Sequence, residues 1–407
     1  MMKSNPFRPG AGHTPPYLAG RKEERQKFRR LLKQSVILEN IVLTGLRGVG
    51  KTVFLDSLKS EANHRGWLWV GTDLSESASI REDHIAVRIC TDLSSITSDI
   101  VVEKALLPGM GFTAPSTEEK YMLNYDALIG IYQSTPGLAM DKLKAVLLSA
   151  WTVLSQTRPA PGIVFAYDEA QNLADHSASG EYPLALLLDT FQSIQRQEIP
   201  MMLALAGLPT LFSKLVESRT FAERMFQVVF LGRLTREESE AAILKPVSGK
   251  NRPAVFDTDA VSSIIKTSGG YPYFIQFICR EFYDALQQRN GHGKSAFPMS
   301  AIEKKMDTDF FAGRWARATD RQRELLSVIA GLENCDEEFT VQEIVERSKN
   351  VLDKPFSSSH VNQMLTAMSD KGLVFKNRRG QYSFAVPLLG AFIRRQKLLA
   401  LPGAANH

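Results

Sequence analysis

A chain of 407 residues, 44% hydrophobic and 23% charged, has the composition of a globular protein with two or three cores, and no stretch approaches the ~20 apolar residues of a membrane span. Its scattered cysteines (Cys90, Cys279, Cys335) and histidines suggest neither a disulfide framework nor a metal site, and the Pro- and Gly-bearing start Met1–Pro16 is unlike a secretory signal, so a cytoplasmic protein with no membrane partner is expected. The net charge is +5, and Gly313–His407 holds 14 Lys/Arg against 10 Asp/Glu, a basic bias that hints at an acidic partner, nucleic acid being the commonest.

After an extended arm, Arg21–Gln34 reads as a strongly charged helix. Val36–Leu43 is an apolar run of strand length, and Thr52–His64 carries Val53, Phe54, Leu55 and Leu58 at helical spacing. Between them lies Gly45-Leu46-Arg47-Gly48-Val49-Gly50-Lys51-Thr52, a phosphate-loop pattern in the strand–loop–helix context it requires. Glycines there tolerate positive φ and let backbone N–H groups face phosphates; Lys51 reaches the β/γ oxygens and the Thr52 hydroxyl ligates Mg²⁺. The loop with Val53 directly after it is therefore the expected binding set for ATP and Mg²⁺.

Trp67–Val70 reads as a second strand and Ile80–Ile96 as a helix with Ile85, Ile89 and Leu93 on one face. From Thr97 to Thr135 the pattern blurs, and Pro108-Gly109 and Pro115 suggest an insertion or surface loops. Leu143–Leu154 is helical, and Ile163–Tyr167 is a buried strand that ends in Asp168-Glu169-Ala170-Gln171. Ligands of open α/β folds bind at such strand ends. Asp168 would hold Mg²⁺ through its water shell and Glu169 would polarise an attacking water, although an Asp-Glu pair can also simply cap the next helix. Helix Leu184–Gln195, strand Met201–Ala206, helix Leu211–Val216 and strand Phe226–Leu231 follow. The alternation implies a parallel sheet covered on both faces.

After Gly232 the strands stop. Thr235–Leu244, opened by a Thr235/Glu238 capping box, Thr258–Lys266, Tyr273–Gln287 and Met299–Phe311 read as a helical domain. Between Trp315 and Arg395 three helices precede a hairpin, Leu373–Lys376 and Gln381–Ala385, around the basic turn Asn377-Arg378-Arg379-Gly380, which is the order of a winged helix. In Ser359–Lys371, stopped by Gly372, Val361, Met364, Leu365 and Met368 form one stripe and leave His360, Asn362, Gln363, Thr366 and Ser369 on the other. The third helix of a winged helix enters the major groove and the wing touches phosphates. Double-stranded DNA is thus the expected partner, met by His360, Asn362 and Gln363, with Lys371, Lys376, Arg378 and Arg379 at phosphates; winged helices also bind proteins.

With these motifs in place, the sequence resembles the AAA+ ATPases, and within them the origin-recognition/initiator-like and STAND-like groups, over nearly the whole chain. Gly45–Thr52 and Ile163–Glu169 match their Walker A and Walker B motifs. Tyr17-Leu18-Ala19-Gly20-Arg21-Lys22-Glu23-Glu24 is similar to the box these families place before the first strand, which implies that Leu18 and Arg21 lie against the adenine. Met201–Ala206 with Gly207-Leu208-Pro209-Thr210 occupies the sensor I place without the usual polar sensor, Thr210 being the nearest candidate. Arg224, just before the last strand, stands where relatives carry an arginine finger, which implies a homo-oligomer or an AAA+ partner; Arg219 is the fallback. Ser268-Gly269-Gly270-Tyr271-Pro272-Tyr273 resembles the Gly-x-Pro lid element of STAND-like proteins, so Pro272 would close over the base, and Arg280 on the next helix is a further sensor candidate.

The resemblance implies an α/β fold, a P-loop NTPase parallel sheet of AAA+ type with a helical lid and a C-terminal winged-helix domain. The expected division is an arm at 1–20, the nucleotide-binding domain at 21–232, the lid at 233–312 and the winged helix at 313–400. It further implies slow ATP hydrolysis to ADP and phosphate, with Glu169, Arg224 and Lys51 as catalytic residues, in a nucleotide-controlled DNA-binding or assembly switch. A STAND-like signalling ATPase whose winged helix holds protein partners, or a DNA-remodelling motor, are the alternatives.

Overall fold

A computed structural model describes residues 4–10, 12–103, 120–248, 256–288, 299–378 and 380–399. Its strands are β1 (Asn40–Thr44), β2 (Leu68–Val70), β3 (Val101–Glu103), β4 (Lys120–Met122), β5 (Ile163–Tyr167), β6 (Met201–Gly207), β7 (Phe226–Phe230), β8 (Phe339–Thr340), β9 (Val374–Arg378) and β10 (Gln381–Phe384). The chain forms two compact units, one of Arg21–Thr44 and Lys51–Phe230, the other of Met1–Gly20, Gly45–Gly50 and Leu231–His407.

The first unit is built on a parallel sheet in the order β2-β5-β6-β1-β7. Ile41 of β1 lies opposite Ala204 of β6 and Gln227 of β7, so β1 is interior to the sheet. Every residue of β1, β5 and β6 is buried, as apolar strands covered on both faces must be. Helices Lys51–His64, Glu82–Thr97, Ala139–Thr157 and Pro183–Gln195 supply much of the cover, with Phe165 of β5 edge-to-face on Phe191 at 5.0 Å. One polar network sits in this core. The Asn40 side chain accepts from Leu203 N–H and Gln195 Nε2 (both 2.8 Å) and donates to the Met225 carbonyl (3.2 Å), which fixes the start of β1 between its neighbours.

Two local departures from the sequence pattern have clear causes. β1 starts at Asn40 rather than Val36, because the Gln34 side chain accepts from the backbone N–H groups of Leu38 (2.8 Å) and Glu39 (3.1 Å) and holds that stretch in a turn. The blurred stretch contains the antiparallel pair β3–β4 and a helix, Tyr125–Ser134, N-capped by Asn124 and burying Leu128, Ile131 and Tyr132. Pro108-Gly109 and Pro115 lie outside the described residues.

In the second unit the helices Arg236–Leu244, Thr258–Ser268 and Pro272–Gln288 form one apolar core with the N-terminal arm. The arm is anchored: Asn5 Nδ2 donates to the Arg280 carbonyl (2.9 Å) and to Asp284 (2.8 Å), and Phe7 is fully buried against Phe256 and Tyr283. The expected capping box forms, with Glu238 N–H donating to Thr235 Oγ1 and Thr235 N–H to the Glu238 carboxylate. Where a single helix was expected over Met299–Phe311, an α-helix Met299–Met306 widens into a π-helix, Asp307–Ala312, before a short helix Gly313–Ala316. Then come Asp320–Ala330, β8, Val341–Val351, Ser358–Asp370 and the β9–β10 hairpin, with the three strands ordered β8-β10-β9. This is winged-helix topology, closed by a further helix, Leu389–Leu399. Among the described residues no helix is long and apolar enough to cross a membrane.

Candidate nucleotide-binding site

The loop that leaves β1 has the shape its glycines permit. A Cβ on Gly45 would stand 2.4 Å from the Leu231 carbonyl oxygen, and Gly48 and Gly50 hold φ of 81° and 88°, where side chains are strained. Val49 is buried, Leu46 half-buried and Arg47 exposed. Lys51 opens helix Lys51–His64 at 8% exposure, with half-buried Thr52 and Val53 after it.

At the end of β5, Asp168 is 3% exposed and accepts hydrogen bonds from the Thr52 hydroxyl and from Glu169 N–H (2.7 Å). The two halves of the motif thus meet at one carboxylate. Asp73 pairs with Asp168 through a backbone bridge that prolongs the β2–β5 pairing. Partial desolvation, then the charges of Asp168 and Glu169, hold the Asp73 carboxyl above its usual range; Asp56 is raised likewise, by desolvation and then by Asp73 and Asp168. Asp168 thus puts anionic oxygen against the Thr52 hydroxyl, with Asp73 and Asp56 near enough to feel its charge.

Glu169 is exposed and sits in the left-handed region, with φ of 50°, a strained setting for a residue with a side chain. Gln171 fixes it. The Gln171 Nε2 donates to the Glu169 carboxylate, its Oε1 accepts from Leu208 N–H (3.0 Å) just past β6, and its carbonyl accepts from Lys214 Nζ (2.8 Å). Desolvation lowers the Lys214 pKa. Sequence reasoning assigned Gln171 no role; its only signal was an amide three residues beyond Asp168. Thr210 opens helix Thr210–Ser218, and its hydroxyl forms no hydrogen bond among the described residues.

Residues 308–393 match a domain of unknown function, DUF8462. No curated protein matches the sequence. Among solved structures, the ORC2 protein of Aeropyrum pernix in its ADPNP–ADP complexes superposes with a TM-score of 0.54 at 13% identity, over 97% of this chain and 98% of that one. Its ADP form gives 0.52 at 13% identity, over 95% and 97%. The chain thus has the fold of these ORC2 structures, a parallel sheet of AAA+ type followed by helices and a winged helix.

Within this AAA+ fold the two arginines before β7 differ sharply. Arg219 forms two hydrogen bonds to Asp189, at 2.8 and 2.6 Å, and donates to the Ser218 carbonyl; that pairing raises its pKa. Arg224, in the turn Ala222–Met225, is exposed and enters no ion pair among the described residues. Among the described residues the fallback arginine is thus engaged, and Arg224 is in no ion pair.

On the lid side, Gly269 and Gly270 have φ of 58° and 77°, Pro272 is the first residue of Pro272–Gln288, and Tyr273 N–H donates to the Gly48 carbonyl at 3.1 Å. The lid element thereby touches the phosphate loop directly. Leu18 is half-buried, and neighbouring Tyr17 accepts from Lys245 Nζ (2.8 Å), which also lies 4.2 Å from its ring centre. Arg21 is 7% exposed, has φ of 65° as the residue before helix Lys22–Leu31, and pairs with Glu24 at 3.4 Å. Arg280 is exposed beside Asp284 (4.0 Å).

In the winged helix, His360, Asn362 and Gln363 are exposed on Ser358–Asp370, whose opposite face buries Val361, Met364, Leu365 and Met368. Lys376 is exposed on β9. Lys371 departs from expectation, because its ammonium donates to the Arg317 carbonyl (3.0 Å) and to Gln322 (2.8 Å) instead of facing outward. Arg379 and the side chain of Arg378 lie outside the described residues.

Proposed function

We propose that this AAA+ protein binds ATP with Mg²⁺, hydrolyses it, and uses its nucleotide state to control a DNA-binding or assembly surface. The observation that carries this reading is the meeting of Thr52 with Asp168 beside Glu169, since separate motifs converge on one point only if a common ligand needs them together. The donors fit Mg²⁺: a hydroxyl and a carboxylate are hard oxygens, and an ion that keeps several waters and takes phosphate oxygens needs few protein ligands. Among the described residues no group of three or more His, Cys, Asp or Glu is arranged to hold a metal alone. When bound, Mg²⁺ would neutralise charge on the β- and γ-phosphates. Lys51 binds those same oxygens, and the backbone N–H groups of Gly45–Thr52 orient them. Glu169, its carboxylate held by Gln171, positions the attacking water, and Arg224 reaches the γ-phosphate of a neighbouring subunit. The resemblance assigns Leu18, Arg21 and Pro272 to the base.

The division follows the resemblance: an arm at 1–20, a nucleotide-binding domain at 21–232, a lid at 233–312 and a winged helix at 313–400. DNA is assigned to the winged helix through the exposed His360, Asn362, Gln363 and Lys376 with the basic wing residues Arg378 and Arg379. Calorimetric titration of Lys51→Ala tests the nucleotide reading, which requires loss of ATP binding; unchanged affinity in a folded variant removes it. For DNA, the readout is a salt titration of duplex affinity. Lys376→Glu should lower affinity for all sequences and flatten the salt slope by about one, whereas Asn362→Ala should alter sequence preference.

A further inference from the structure

The motifs leave one strongly charged element without a task. Arg21–Gln34 holds seven Lys/Arg against two Asp/Glu, an excess of +5 that equals the net charge of the whole chain. These residues form helix Lys22–Leu31 and the turn after it, within the first compact unit. Phe28, Leu31 and Leu32 are buried, with the Phe28 ring edge-on to Trp69 at 6.2 Å, so the apolar side of the helix is spent on the core. Lys22, Gln26, Arg29, Arg30 and Lys33 are exposed. Their spacing of four, three, one and three residues sets them in one row along the side opposite the buried one.

The acids of this element are accounted for by the helix itself. Glu23 and Glu24 sit in the first turn, where the positive end of the helix favours them, and Glu24 is paired with Arg21 at 3.4 Å. The same field favours Arg29 and Arg30 in the last turn but opposes Lys22 in the first, so helix stability alone does not explain the row. Lys22, Arg30 and Lys33 form no ion pair among the described residues. Arg29 pairs with Glu61 at 2.8 Å, and the same carboxylate pairs with Arg65 at 3.1 Å. Glu61 lies on helix Lys51–His64 and is 14% exposed, while both of its arginines reach solvent. One sunken acid thus holds two guanidiniums side by side, and the cationic row continues onto the end of a second helix.

We propose that Lys22, Arg29, Arg30, Lys33 and Arg65 form a contact surface for the phosphate backbone of duplex DNA, carried by the first compact unit. A ten-residue helix is about 15 Å long, and duplex DNA presents one charge per ~1.7 Å of its axis, so the row spans several phosphates. Nucleic acid is chosen over a lipid surface because an interfacial helix needs a free apolar face, and this helix has buried its own. Apart from Gln26 the row is cationic, which suits contact with the backbone rather than the reading of bases. The inference deepens the DNA reading above by adding a second surface, and its test separates this surface from the winged helix.

The test is a salt titration of affinity for a mixed-sequence duplex. It compares wild type, the double variant Arg30→Glu with Lys33→Glu, and a control, Lys266→Glu with Lys304→Glu, which changes net charge equally at exposed positions elsewhere. Arg30 and Lys33 are exposed and form no ion pair among the described residues, so their replacement should leave the urea midpoint and ATP affinity at wild-type values. Duplex affinity should fall roughly ten-fold per lost contact at 0.1 M salt, and the salt slope should flatten by about 1.8 for two contacts. The control should shift neither. In wild type, bound duplex should shield the Lys22 and Lys33 amines from acetylation more than those of Lys266 and Lys304. A double variant no weaker than the control overturns the inference, as does equal acetylation of Lys22 and Lys33 with and without duplex, or tighter binding to phosphatidylserine vesicles than to duplex. Binding that survives Lys376→Glu but not the Arg30 and Lys33 changes supports this surface and defeats the winged-helix assignment. The reverse pattern removes this surface and keeps that assignment, and wild type that binds no duplex at low salt defeats both.

Discussion

Arg219 and Arg224 are separated by only one turn and a half of chain, yet their replacement by alanine should have opposite consequences. Arg219 is paired with Asp189 in a two-point geometry whose side chains are 38% and 27% exposed. Such a pair is partly screened, so Arg219→Ala should cost about 1 kcal/mol of unfolding free energy and leave ATP turnover within about two-fold. Arg224 has no ion pair among the described residues, so Arg224→Ala should change stability by less than about 0.5 kcal/mol. If its guanidinium reaches a neighbouring subunit's γ-phosphate, turnover should fall by about 10³-fold or more, the range seen when an arginine finger is withdrawn. The assay is phosphate release against protein concentration, paired with urea unfolding. Wild-type turnover per subunit should climb with concentration as subunits associate, and that of Arg224→Ala should stay flat. A variant at position 219 that loses turnover at full stability, or a rate for Arg224→Ala that still climbs, would refute the assignment.

Glu169→Gln should still bind ATP but hydrolyse it at least about 100-fold more slowly in single-turnover kinetics, and Gln171→Leu, which frees the Glu169 carboxylate, should lower kcat about ten-fold at unchanged ATP affinity. Asp73→Asn removes a carboxyl whose folded-state pKa is raised; that group's stability contribution is complete below the ordinary carboxylate range and is lost as pH rises through the folded value. The variant should therefore exceed wild type in urea midpoint at pH 7 without Mg²⁺, by under about 1 kcal/mol given the exposed site, with the gap closing at pH 3. Asn40→Ala should cost about 2–4 kcal/mol by chemical denaturation, because Leu203 N–H loses its acceptor in a fully buried site.

What was legible in the sequence is what the chain writes contiguously. The phosphate loop, β5 with its acidic end and the capping box at Thr235 each depend on neighbours a few residues apart, and spacing alone exposes them. Features that depend on partners brought from afar were not legible. The engagement of Arg219 needs Asp189, the inward turn of Lys371 needs Gln322, and the role of Gln171 needs the end of β6. Tyr125–Ser134 was missed because its short apolar face follows two short strands, and the π-helix because its widened turn keeps an apolar pattern that also suits an α-helix.

The phosphate loop is not an independent part: Gly48 is bonded to Tyr273, and the missing side chain of Gly45 lets Leu231 approach. A rearrangement of the loop at Gly48 would strain or break its bond to Tyr273, whose ring packs edge-on against Phe310 at 5.2 Å. Under the proposed nucleotide reading, loop and lid should therefore respond to a bound phosphate together, and Tyr273 should lose or gain hydrogen-exchange protection with the loop when ATP is added.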